Sequence, residues 1–260
     1  MRHYEFTGEK QANLNRIRAL VDLPHHGAKA GDLGGWVENY ANLSGQAWVA
    51  DSAQVYRDAR VCGSARVCGS AQVCGSARVC GSALVCGSAR VCGSALVCDS
   101  ALVCDSALVY GSAQVYGSAQ VYGSAQVCGS AQVCDSAQVC GSAQVCDSAQ
   151  AYGSAQVFGS AQVCGSARVC GSARVCGSAR VCGSALIESH KDYLTIGPAK
   201  SSGRFTTAHK TAEGIHVNTG CFSGDLHTFS AAIEATHTGE NLEQYRLFCQ
   251  LIAFNFGVTP

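Results

Sequence analysis

Residues 61–88, "VCGSARVCGSAQVCGSARVCGSALVCGS", place a cysteine at every sixth position, and the same beat runs with few changes to Ser184. Thiols at regular spacing can bind a soft metal, pair as disulfides, or fill one position of a repeat. The chain has 18 cysteines, and a reducing compartment would keep them as free thiols rather than nine disulfides. A second set of reactive groups lies beyond the repeat: His190, Asp192, His209, His216, Cys221 and His237. Together they could supply a thiol nucleophile, a base and an orienting carboxylate. His209 and His216 fall close across an expected hairpin. Cys221, in "TGCFSG", alternates with Val217 and Thr219 as a packed strand residue does. His25 and His26 beside Pro24 read as a polar loop.

Whether the thiols can act depends on the elements that carry them. From Gly35 a six-residue pattern begins irregularly and settles into A-[RQL]-V-[CYF]-[GD]-S, giving twenty-four hexads from Ala41 to Ser184 without an insertion. Within a hexad, Ala and Val are separated by one polar residue, so both point to the same side of a strand. The Gly-Ser or Asp-Ser pair then turns the chain. Three short strands and three corners close a triangular coil of eighteen residues. These residues resemble the left-handed parallel β-helix of hexapeptide-repeat proteins, in which an aliphatic residue fills each face and a small one sits two positions earlier, as Val61 and Ala59 do. The resemblance covers residues 35–187. It implies an all-β solenoid of about eight coils, a prism on the order of 40 Å long at ~4.8 Å per coil. Segments "AKAGDLGGWVEN" and "HKDYLTIGP" are also similar to flanks of hexapeptide arrays in bacterial and phage-associated proteins.

The termini complete the expected organisation. Residues 1–34 read as a small N-terminal cap with one short alternating strand, "HYEFTG". Residues 188–260 read as an α+β capping module: strands at "YLTIG", "RFTTAHKT" and "IHVNTGC", then helices near residues 225–237 and 242–256. Open solenoid ends need covering. The helix faces carrying Leu226, Phe229, Ile233, Tyr245 and Ile252 are therefore expected to pack on the terminal sheet and coil.

With an eighteen-residue period, Cys62, Cys80 and Cys98 share one column, Cys68, Cys86 and Cys104 a second, and Cys74 and Cys92 a third. All should face outward near corners. Neighbours in a column stand about 4.8 Å apart, while the next column is on another face, so four sulfurs cannot converge on one tetrahedral zinc. Two stacked thiols could still hold a two-coordinate ion such as Cu(I) or reach disulfide distance. Against a metal device, Tyr110, Tyr116, Tyr122, Tyr152 and Phe158 occupy the same hexad position. Cys, Tyr and Phe differ by one middle base in the genetic code, as do Gly and Asp, and as do Arg, Gln and Leu. Duplication of one unit followed by point changes accounts for all three sets.

Other functions find less support. Eighteen Lys plus Arg balance eighteen Asp plus Glu, and the arginines at both ends of the array spread over all three faces, so no basic stripe offers itself to nucleic acid. No apolar run approaches the ~20 residues that span a bilayer, and "MRHYEFTGEKQANLNRIRAL" lacks a secretory pattern, which places the expected protein in the cytoplasm. Stacked threonine pairs suited to an ice-binding face are missing. Hexapeptide acyltransferases, the enzymes this resemblance brings in, use a histidine base and a loop projecting from the coils. Here no histidine occurs between Gly27 and Ser189, and no loop breaks the hexads. The sequence thus predicts a noncatalytic scaffold without a cofactor, presenting its flat faces or C-terminal module to a protein partner. An acyltransferase relative and a thiol-rich soft-metal binder are the alternatives.

Overall fold

The structure, a computed structural model, describes residues 2–259. Two-residue strands recur every six residues from Trp48–Val49 to Leu186–Ile187 and stack into three parallel sheets, one per face of a triangular β-helix. Coil strands are named below by their residues. The first face runs through Gln54–Val55 to Arg180–Val181, the second from Trp48–Val49 to Arg174–Val175, and the third from Arg60–Val61 to Leu186–Ile187. Register is fixed at eighteen residues: Val61 lies against Val79, and Val79 against Val97.

The hexad explains each feature of the coil. Ala59, Val61 and their equivalents along the array are fully buried and form one continuous core from Tyr4 to Ile187. Before the last coil, the regular hexad donates three backbone hydrogen bonds to the next coil; Arg60, Cys62 and Ser64 bond to the carbonyls of Ala77, Val79 and Gly81 at 2.9, 2.9 and 2.7 Å. The corner requires a left-handed residue. Gly63 has φ 71°, and a Cβ there would lie 2.9 Å from the Gly81 carbonyl.

At the N-terminal end, β1 (Tyr4–Gln11) and β2 (Leu14–Ala19) form an antiparallel hairpin, and β2 pairs with β3 (Leu33–Val37). Strand β3 then pairs in parallel with Gln54–Val55, so the cap extends the first face. The sequence suggested one strand here; the hairpin's second strand was hidden because "LNRIRA" has no clean alternation. Gly34 allows the close approach: a Cβ would stand 2.6 Å from Ile17 Cγ1 and from the Val49 carbonyl. His3 and His26 bond through Nε2 to the carbonyls of Ala47 and Gln46 at 2.8 and 2.7 Å, plugging the first coil.

At the other end, β4 (Tyr193–Ile196), β5 (Thr206–Thr211), β6 (Gly214–Thr219) and β7 (Phe222–Asp225) form an antiparallel sheet followed by α1 (Leu226–Thr236) and α2 (Gly239–Phe256). Leu226, Phe229, Ile233, Tyr245 and Ile252 are buried, in a core shared with Ala208 and Val217 and separate from that of the coils. The helices therefore pack on the sheet, and the sheet in turn meets the last coils. Thr207 Oγ1 accepts the Arg180 backbone N–H at 3.1 Å, Asn218 donates to the Arg180 carbonyl at 3.4 Å, and Tyr193 packs on the coil core. The expected direct packing of the helices on the coil is corrected accordingly. Alternation in β5 explains why: Ala208 faces the helices, leaving Thr207 and His209 for the other side.

Candidate functional site

Each cysteine of the array follows the buried valine of a coil strand, and the three columns stay on separate faces. Cys62, Cys80 and Cys98 flank the third face; Cys68, Cys86 and Cys104 flank the second. These thiols are half-buried rather than freely outward. Two others, Cys74 and Cys170, are buried outright. Each of these two follows a tyrosine one coil earlier, Tyr56 and Tyr152, whose phenol interacts with the thiol.

Burial also suppresses the chemistry of the columns. Desolvation, aided by a neighbouring thiol or corner aspartate, raises the Cys86 and Cys98 thiols to about 11, and desolvation raises Cys68, Cys80 and Cys104 as well. A protonated thiol is a poor nucleophile and a poor metal ligand. Among the described residues, no group of three or more His, Cys, Asp or Glu side chains is placed to hold a metal ion. Thiols of a column line up along the prism axis, each adjoining only those one coil away. One pair is oxidised: Cys164 and Cys182, eighteen residues apart with Cα atoms 4.6 Å from each other, form a disulfide, and the other sixteen cysteines are free. The expectation of free thiols throughout is corrected at this pair, because the coil step falls within the disulfide range of about 4.4–6.8 Å.

The polar groups of the C-terminal module do not assemble into a catalytic set. His209 and His216 face each other across β5 and β6, with ring centroids 5.3 Å apart and stacked. His209 is fully buried; desolvation, with the nearby His216, lowers it to about 4, so it is neutral near pH 7. Its Nε2 lies 3.1 Å from the Asn218 amide, while Nδ1 has no partner. Cys221 is exposed in the turn between β6 and β7, not packed in a strand as its spacing suggested. The register Thr206–Thr219 and His209–His216 puts it at least three pairs from the histidines, roughly 10 Å along the sheet. Asp192 is engaged elsewhere: its carboxylate accepts the Ser189 and Glu188 backbone N–H groups and pairs with Lys210 at 2.7 Å. His237 stacks on Tyr245 at 4.7 Å.

Two surface features of this module escaped sequence reasoning. A cavity of about 470 Å³ opens beside Arg204, Cys221, Phe222, Phe229, Ile233 and Tyr245. On the outer side of α2, Leu247, Leu251 and Phe254 are exposed, followed by Val258; Phe254 is 85% exposed. Within α2 the spacing of four and three is that of one helix face, while Val258 lies past the helix end at Gly257; the buried face masks the pattern, since "LFCQLIAFNF" is apolar on both sides.

No protein-family model matches this chain, and a search of curated proteins finds no match.

Proposed function

We propose that the protein is a noncatalytic cytoplasmic scaffold: a β-helical shaft whose C-terminal module docks a protein partner through the outer face of α2. One observation carries this reading, the apolar stripe Leu247–Leu251–Phe254 on a helix whose opposite face is already buried. Contiguous exposed apolar side chains of this size mark contact surfaces. The stripe is flanked by Glu243, Gln250 and Asn255, and Arg246, the one Lys or Arg within α2, is paired with Glu234 and Glu243. A surface with so little free charge fits a partner that brings its own apolar helix face. The coil faces, by comparison, carry arginine, leucine and glutamine in short runs; Arg60 stacks on Arg78, but Leu96 follows.

The test compares full-length protein with Phe254→Glu and Leu247→Glu. Both positions are exposed, so circular dichroism and melting should be unchanged. A partner retained by the parent and lost by both variants supports the docking face. Retention by these variants, with loss in Gln126→Lys and Gln144→Lys on the first face, would assign binding to the coils instead. Doubling of mass by light scattering, abolished in Phe254→Glu, would make the occupant a second copy of this chain.

A further inference from the structure

The longest uninterrupted run of stacked thiols is Cys128, Cys146, Cys164 and Cys182 on the first face, and the disulfide closes one end of it. Tyr110 precedes the run by one coil, and the first face ends at Arg180–Val181. The backbone repeats along the run: Val127, Val145, Val163 and Val181 are in register, and the N–H groups of Cys128, Cys146 and Cys164 bond to the next valine carbonyl at 3.0, 3.0 and 2.9 Å. The free thiol one coil before the disulfide sits between its neighbours, near the Asp147 carboxylate at 4.0 Å. Cys146 Sγ lies 3.8 Å from the Val163 carbonyl, the group that immediately precedes Cys164.

We infer that this column is a bounded disulfide relay, in which one disulfide moves between adjacent coils by intramolecular exchange. Thiol–disulfide exchange needs an attacking thiolate, a central sulfur and a leaving sulfur in succession, and the column supplies that order along the prism axis. Cys146, deprotonated, attacks Cys164 Sγ; the Cys146–Cys164 bond forms, the Cys164–Cys182 bond breaks, and Cys182 leaves as a thiolate that takes up a proton. Attack by Cys128 on Cys146 then moves the bond one further coil and releases Cys164. Each step exchanges one disulfide and one thiol for another of each, so no oxidant or reductant is consumed. Tyr110 has no thiol and stops the walk, so the disulfide has three stations over about 14 Å.

The step is gated by deprotonation. Burial, the Asp147 carboxylate at the same corner and the Cys128 thiol one coil earlier raise Cys146 to about 11, and Cys164 in the next coil is held in the disulfide. Exchange should therefore accelerate about tenfold per pH unit below that value, in step with the thiolate fraction. Removing the carboxylate with Asp147→Asn should speed it severalfold at fixed pH.

The experiment uses full-length protein poised in a glutathione redox buffer to one disulfide per chain, then freed of glutathione and held without oxygen at pH 7 and pH 9. Free thiols are alkylated after an acid quench. Cleavage at Asp135, Asp147, Arg168, Arg174 and Arg180 puts the four cysteines on separate peptides, so mass spectrometry reads each pairing. Expected are 146–164 and 128–146 pairs growing in beside 164–182, faster at pH 9 and at a rate independent of protein concentration. Cys146→Ser should confine the disulfide to 164–182 and leave Cys128 fully alkylated. The inference is overturned if 164–182 stays the sole pair at pH 9, if no column disulfide forms, if the rate scales with concentration, or if Cys146→Ser scrambles as fast as the parent.

Discussion

At the corners, a single side chain decides whether a substitution is drift or gain. Asp99, Asp105, Asp135 and Asp147 replace glycine yet keep φ between 58° and 61°, a conformation that Asp tolerates better than most residues. Each carboxylate accepts the backbone N–H of the glycine one coil later; for Asp105 and Gly123 the distance is 2.9 Å. Middle-base change accounts for how aspartate arose there, while this bond shows what it contributes. Asp105→Ala should lower stability by about 1–2 kcal/mol, as the left-handed residue stays and its bond is lost. Asp105→Asn keeps an acceptor and should recover most of that in denaturant titrations. His209 sets a second expectation, with the sign fixed by its lowered value. An unfolded histidine titrates near 6.5 and the folded one at about 4, so the unfolded chain binds the extra proton between those values. Stability from neutral His209 is complete above pH 6.5, falls as pH drops toward 4, and is on the order of 3 kcal/mol. Melting curves across this window should flatten in His209→Gln.

At the level of the element, a coil strand contributes one valine and one alanine to a shared core, and its neighbours on both sides are fixed by register. Gln150–Ala151 departs from the pattern: Ala151 lies between Val133 and Val169, fully buried. Two methyl groups are missing from an otherwise uniform valine stack. Ala151→Val should stabilise the protein by about 1–2 kcal/mol, read as a higher melting temperature, because it fills space its neighbours already shape. A loss of stability would mean that the coil has closed around the smaller side chain. The glutamine ladders contribute less than their regularity suggests; Gln150 Nε2 to Gln132 Oε1, at 3.4 Å, is the cross-coil glutamine pair within bonding distance among the described residues. Helix α2 was legible in part. The spacing points Tyr245 and Ile252 to its buried face but not Phe248, because a helix apolar on two sides gives periodicity no single direction.

For the whole molecule, the ends govern solubility. Strands exposed at a coil end would pair with another chain, and here the sheet of the C-terminal module occupies that position through Thr207, Asn218 and Tyr193. Deleting residues 188–260 should leave the coils folded by circular dichroism but turn a discrete particle into fibres or aggregates by light scattering. A monodisperse truncation of unchanged stability would make the module an appendage rather than a cap. The N-terminal end is protected differently, by a hairpin that continues the first face and by His3 and His26 bonded across the first coil.

The solenoid, its eighteen-residue register, the columns and the helix positions were legible in the sequence, because each strand ladder of the array joins residues eighteen apart in the chain. Spacing there is structure. The terminal module has no such period, and it is its packing that turns the polar side of β5 to the coils, buries His209 while leaving Cys221 exposed in a turn, and leaves one face of α2 open. Those outcomes follow from which of several apolar faces finds a matching surface, a choice made by many weak contacts between segments distant in sequence. The disulfide belongs to both. Periodicity brought Cys164 and Cys182 within reach, as it did every stacked pair, and the folded column alone distinguishes the pair that closed.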